Sequence, residues 1–264
     1  MRSLLSGAAH PRRALILIPT CIVVVTALSW AYLVHLDHQM SSSMEHDKRM
    51  LEMGMPMNMP WTADDVFFTF TMWAVMMVGM MTGAATPVLL LFAAADAGRG
   101  SRSPSLSILM FGLGYLIVWT GFSALAALAQ WALHLATMLS PTMAASSPRL
   151  AGVILITAGA YQLTPWKGRC LTHCRSPLGF VMTHWRDGKL GALRMGFGHG
   201  AYCLGCCWAL MCVLFVVGVM NLIWVAALTG FVLLEKVGPA GAIVARIAGA
   251  AMVALGIFSI WVSP

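Results

Sequence analysis

The chain has 264 residues, of which 59% are hydrophobic and 9% charged, whereas a soluble domain carries roughly 25% Asp, Glu, Lys and Arg. That balance excludes an ordinary soluble fold. The net charge of +7 comes from basic residues placed between long apolar runs, which is the pattern of bilayer topology rather than of a nucleic-acid-binding patch. Methionine is the outlier: 21 Met with 7 Cys and 8 His give an unusual density of soft and borderline metal-ligand side chains.

A membrane helix needs about 20 predominantly apolar residues. In chain order, the clear apolar runs are residues 14–36, 66–95, 106–139, 197–220 and 240–262. Two shorter runs are added. Residues 148–165 open on a proline suited to the first turn of a helix, and residues 221–234 follow a turn at Gly218–Asn221. The expected fold is therefore all-α, a polytopic transmembrane bundle of six helices, or seven if that turn is real. Arg2, Arg12 and Arg13 precede the first run as they would in a secretory leader. The run is longer than a leader core and no small-x-small site follows Trp30 and Tyr32, so it reads as an uncleaved helix.

With the N-terminus inside, seven helices place on the inner side Arg2, Arg12, Arg13, Arg99, Arg102, Lys167, Arg169, Arg175, Arg186, Lys189, Arg194, Lys236 and Arg246. Only Lys48, Arg49 and Arg149 fall outside. That asymmetry predicts a multi-pass protein of the bacterial cytoplasmic membrane with a cytoplasmic N-terminus. Residues 1–65 read as a transmembrane helix plus an external His- and Met-rich loop. Residues 66–264 read as the bundle, with an internal Cys-containing loop at 166–195.

The external segment carries His35, His38 and His46, then MLEMGMPMNM, in which Met53, Met55, Met57 and Met59 alternate around Pro56. Thioether sulfur binds Cu(I) without losing a proton and persists where a thiolate would be oxidised. The segment reads as an external copper contact, or more plainly as a flexible Met-rich surface. In the second apolar run, MWAVMMVGMM sets Met72, Met76 and Met80 at i, i+4 and i+8. These sulfurs could line a path, or simply pack among membrane helices beside a Gly79–Gly83 small-xxx-small contact.

The densest chemistry lies between Tyr161 and Glu235. In YQLTPWKGRCLTHCRSP, Cys170 and Cys174 are four apart with His173 between them and Arg169 and Arg175 alongside. Neighbouring cations favour the thiolate. In HGAYCLGCCWALM, His199, Cys203, Cys207 and Met211 recur every fourth residue, with Cys206 three after Cys203. That period makes one stripe of a helix. A lone buried Cys is usually a small hydrophobe, but this many Cys and His at one helix start suggest metal ligation. Packing and a redox thiol pair are the alternatives. Glu235 reads either as a headgroup-level acid beside Lys236 or as an inward ligand or proton acceptor. Cys21 and Cys212, alone in apolar runs, are assigned to packing.

These stretches, together with WRDGKLGA and the segment from Met220–Asn221 to Glu235–Lys236, resemble the bacterial predicted metal-binding integral membrane proteins, a family of unknown function, over residues 73–236. The resemblance implies that Cys170, Cys174, His199, Cys203, Cys206 and Cys207 are the positions to test. The leading expectation is a copper-handling membrane protein that binds Cu(I), transfers it, or delivers it to a membrane or periplasmic partner, with zinc or iron as other candidate ions. The alternatives are a membrane metalloenzyme or redox subunit and a structural scaffold. No zincin motif, nucleotide-binding loop or nucleophile elbow occurs, and the lipid bilayer rather than nucleic acid is the expected surroundings.

Overall fold

A computed structural model describes residues 9–52, 61–99, 104–140 and 143–262. Among them every regular element is a helix, apart from one isolated bridge between Leu139 and Ala145. Helix α1 spans Ala9–Glu52 and α2 Ala63–Gly98, followed by α3 (Pro104–Leu135), α4 (Pro148–Gln162), α5 (Pro165–Arg175) and α6 (Pro177–Thr183). The chain then forms α7 (Gly188–Cys212), the single turn α8 (Leu214–Val217), α9 (Leu222–Val237) and α10 (Gly241–Trp261).

Local sequence sets these boundaries. Three helices open with Ser or Thr followed by Pro at the first position. Ser147 accepts from Leu150 N and Thr164 from Lys167 N, and Ser176 precedes Pro177. Proline there lacks a donor the helix would not use, and the hydroxyl satisfies one of the free N–H groups. A reciprocal capping box begins α2, where Thr62 Oγ1 accepts from Asp65 N while Asp65 Oδ2 accepts from Thr62 N at 2.7 Å. Helix α1 continues far past its apolar run because no Gly or Pro interrupts the sequence between Pro19 and Gly54. Part of the expected external loop, including His35, His38 and the backbone of His46, is accordingly helix. The 166–195 segment, expected as a loop, contains α5, α6 and the first turns of α7.

Among the described residues, five helices are long and apolar enough to cross a membrane: Ile16–Met40, Ala63–Gly98, Pro104–Leu135, Gly188–Val217 and Gly241–Trp261. The expected six or seven is not met. Helices α4 and α9 have 15 and 16 residues; at about 1.5 Å per residue each is roughly 23 Å long, short of the ~30 Å hydrocarbon layer. The break between α7 and α9 is real. Gly218 takes a φ of 95°, and Asn221 caps α9 by accepting from Trp224 N at 3.4 Å.

The long helices pack through glycine. Helix α3 runs parallel to α7 at so close an approach that a Cβ added at Gly196 would overlap the Phe111 carbonyl, and one at Gly114 the Leu193 carbonyl. Helices α4 and α10 run antiparallel. A Cβ at Gly152 would stand 2.7 Å from Gly256 O, and one at Gly159 2.6 Å from Gly249 O. Of the expected Gly79–Gly83 contact, only Gly79 meets a neighbour, the Ser29 Cβ of α1. The largest core joins α2 to α7: Met72, Trp73, Met76, Met77, Met80 and Met81 pack with Cys203, Cys206, Cys207 and Met211. Register across this core is fixed near its ends, by the Trp73 and Phe215 rings 5.3 Å apart and by Tyr115 of α3 bridging Met81 to Cys203.

A sulfur cluster held between two buried lysines

Helix α7 presents His199, Cys203, Cys206, Cys207 and Met211 to the interior, and all five are buried. The thiols of Cys206 and Cys207 each donate to the Cys203 carbonyl at 3.0 Å, as expected three and four residues along one helix. Helix α5 supplies the opposing sulfur, with Cys174 Sγ 3.9 Å from Cys206 Sγ. Cys170 lies one turn away against Gly205, where an added Cβ would stand 2.8 Å from its sulfur. The two Cys groups therefore meet in space through Cys174 and Cys206.

A buried polar lattice sets the position of α5. Lys167 Nζ donates to both Glu235 carboxylate oxygens, at 2.8 and 2.7 Å, and to Gln162 Oε1. Gln162 Nε2 donates in turn to Glu235 Oε1 at 3.0 Å. The Lys167 and Glu235 side chains are each 1% exposed, so the pair ties α5 to α9, with the end of α4 between them. The Arg175 guanidinium donates to Glu235 O at 2.6 Å and Pro239 O at 3.4 Å, binding the end of α5 to the carbonyl end of α9. The headgroup-level reading of Glu235 is thereby corrected: its carboxylate points into the bundle and neutralises Lys167.

One residue on, Lys236 is also buried and its Nζ donates to Cys203 Sγ at 2.9 Å. Tyr115 donates to Met81 O at 2.9 Å, and its hydroxyl is 3.1 Å from the same sulfur. Cys203 is thus held by an ammonium and a phenol from two further helices. Lys236, Lys167, Gln162 and Tyr115 were not singled out as site residues from sequence. The available signal was Lys167 and Lys236, two of the few charges beside apolar runs.

The flanking arginines do not act on the α5 thiols as expected. Arg175 is committed to backbone carbonyls, and burial together with the neighbouring Cys206 pushes the Cys170 thiol above its ordinary pKa. Cys174 is pushed up as well, first by hydrogen bonding with Cys203 and Cys206 and then by burial.

The other expected ligands divide. His199, one turn before Cys203, packs its ring 6.0 Å from that of Tyr115 and 5.0 Å from Phe180, and its buried Nδ1 has no hydrogen-bond partner among the described residues. His173 turns away from the sulfurs, stacks on Tyr202 at 4.2 Å, and pairs Nδ1 with Arg169 O. Met72, Met76, Met80 and Met211 are buried in the core that contains the cysteines. His35 and His38 are exposed on α1. The His46 side chain and Met53, Met55, Met57 and Met59 lie outside the described residues. Cys21 is exposed rather than packed, and Cys212 is half-buried. Among the described residues, no group of three or more His, Cys, Asp or Glu side chains is gathered to hold a metal ion. The cluster offers a sulfur pair with flanking soft atoms, not a preformed four-ligand cage.

The described helices form an apolar bundle that closes over a thiol pair beside a methionine-rich core, and thiol and thioether sulfurs are donors that soft metal ions prefer. Residues 70–259 match the PpoB2 family, described as copper chaperone, and because that covers more than half of the chain, the protein belongs to this family. No curated protein and no solved structure matches the chain.

Proposed function

We propose that this protein is an integral membrane copper chaperone that carries Cu(I) as cargo on the Cys174–Cys206 pair, with Cys203 alongside, and releases it to a membrane or periplasmic protein partner. The observation that carries this reading is the 3.9 Å separation of Cys174 Sγ and Cys206 Sγ across two helices. Two sulfurs of a three-donor site, at a metal–sulfur bond of roughly 2.3 Å and an angle of about 120°, stand about 4.0 Å apart, so Cys174 and Cys206 with Cys203 as third donor fit one ion. Soft thiolate and thioether donors select Cu(I) over harder ions. Lys236, at 2.9 Å from Cys203 Sγ, is the counter-charge for a thiolate there, since a buried ammonium is costly without one.

His199 is the remaining donor, one turn from Cys203 with its Nδ1 unengaged among the described residues. The buried sulfurs of Met72, Met76 and Met80 lead along α2 from the end near Trp61 toward Met81, whose carbonyl meets Tyr115. They form the route by which Cu(I) reaches the thiols from the Met-rich segment. The placing of Lys and Arg supports a cytoplasmic N-terminus in a bacterial inner membrane, with the Met-rich segment on the outer side.

The test is anaerobic Cu(I) titration of the detergent-purified protein against a chromophoric chelator, with X-ray absorption to identify the ligand atoms. Wild type is expected to bind copper through sulfur. C174S and C206S are expected to weaken binding beyond the 10–100-fold typical of losing a group that merely supports a ligand, and C21S to leave it unchanged. Wild-type affinity in both C174S and C206S would overturn the proposal.

A further inference from the structure

At the far end of α7 from Met211, an open cavity of about 440 Å³ lies between α3, α6 and α7, away from the sulfur cluster. Its walls include Ile117, Leu193 and Phe197, and its floor Gly114 and Gly198. Ile117 and Phe197 are exposed large hydrophobics on the outside of the bundle. The floor is shallow for a structural reason. Helices α3 and α7 touch backbone to backbone at Gly114, and Gly198 has no heavy atom within 4 Å of where a Cβ would stand. Arg186 and Arg194 also line the cavity, and both are exposed. The nearby carboxylate of Asp187 accepts instead from Trp185 Nε1 at 2.7 Å.

We propose that this groove is a binding site for one anionic phospholipid, whose acyl chain lies along Ile117 and Phe197 and whose phosphate, left uncompensated by any headgroup cation such as choline, is held by Arg186 and Arg194. Charge complementarity selects this occupant. Guanidinium groups match phosphate oxygens in a fork geometry, and basic pockets between membrane helices recruit anionic headgroups. A peptide partner would not need the apolar channel to open sideways onto the lipid-facing surface. The site rests on the membrane-spanning reading but not on copper.

The experiment is native mass spectrometry of the full chain in detergent, titrated with phosphatidylglycerol and, separately, with phosphatidylcholine of the same acyl chains. Wild type is expected to retain one phosphatidylglycerol with a preference of roughly 30-fold, from a factor of about 5 for each of two cations. R186Q/R194Q is expected to bind both lipids equally, R186K/R194K to keep most of the preference, and G198F, which fills the groove, to lose both lipids. Unchanged helix content by circular dichroism and a monodisperse elution in detergent serve as the folding control for each variant. Equal retention of the two lipids by wild type, or an undiminished preference in R186Q/R194Q or G198F, would overturn the proposal. A protein that stays soluble and monodisperse once the detergent is removed would instead refute the membrane-spanning reading.

Discussion

Replacing Glu235 with Gln is expected to destabilise the protein by about 3 kcal/mol, and the reason lies in the geometry of one buried pair. The Lys167 and Glu235 side chains are each 1% exposed, and Lys167 contacts both carboxylate oxygens, so solvent screening offers no relief. Removing one partner from a buried pair costs roughly 3–5 kcal/mol, because the remaining charge stays desolvated. Gln keeps an acceptor for Lys167, which puts E235Q at the lower end. Replacing both partners with apolar side chains of similar size, as in K167M/E235L, removes the desolvated charges together and is expected to be neutral or stabilising. Equilibrium unfolding in mixed detergent micelles, run as a double-mutant cycle, measures both effects. A cost below about 1 kcal/mol for E235Q, or a double variant equal to the sum of its singles, would refute the assignment of this pair as the tie between α5 and α9. Copper supplies a second readout. The pair holds Cys174 opposite Cys206, so E235Q is expected to weaken Cu(I) binding although Glu235 is no ligand.

The α3–α7 contact gives an independent stability prediction: a Cβ at Gly196 would overlap the Phe111 backbone, which cannot move aside as a side chain can. G196A is expected to cost at least the 1–3 kcal/mol typical of overpacking, read by the same unfolding assay, whereas G83A, with nothing within 4 Å of the added atom, is expected to be tolerated. For the methionine route, M76L/M80L keeps volume and apolarity while removing two sulfurs, so stability should change by less than about 1.5 kcal/mol. Stopped-flow Cu(I) loading should slow while equilibrium affinity at the thiols is kept. Unaltered loading kinetics would remove Met76 and Met80 from the route.

Much of the fold was legible in composition. Apolar runs located the five long helices, because a bilayer demands length and hydrophobicity together. The count failed at α4 and α9, where the runs are apolar but short. Their ends carry Gln162, Glu235 and Lys236; inside the bundle Gln162 and Glu235 are satisfied by each other and by Lys167, and Lys236 by the Cys203 sulfur. Sequence hydropathy cannot distinguish such a terminus from one at the lipid headgroups. The stripe of His199, Cys203 and Cys207 was legible because helical period alone places those residues on one face. That Cys174 rather than His173 would face Cys206 was not legible. Both lie on an 11-residue helix, and which face turns inward depends on Lys167 finding Glu235 68 residues away in sequence.

The same arrangement explains why the cluster suits transfer better than retention. A chaperone must hold its ion firmly enough to protect it yet leave a route for an incoming ligand. A closed four-ligand cage on one rigid element serves the first need and defeats the second. Here Cys206 and Cys203 sit on long α7, while Cys174 sits on short α5, whose described ties include the Lys167–Glu235 pair and the Arg175 bonds to Glu235 O and Pro239 O. Both ties end on α9, so a shift of α5 and α9 together relative to α7 would separate Cys174 from Cys206 without breaking either one. It would also draw Lys236, carried on α9, away from Cys203. Under the proposed function, separation of the sulfur pair and loss of its counter-charge would be coupled in a single movement that frees Cu(I) for a partner's ligands.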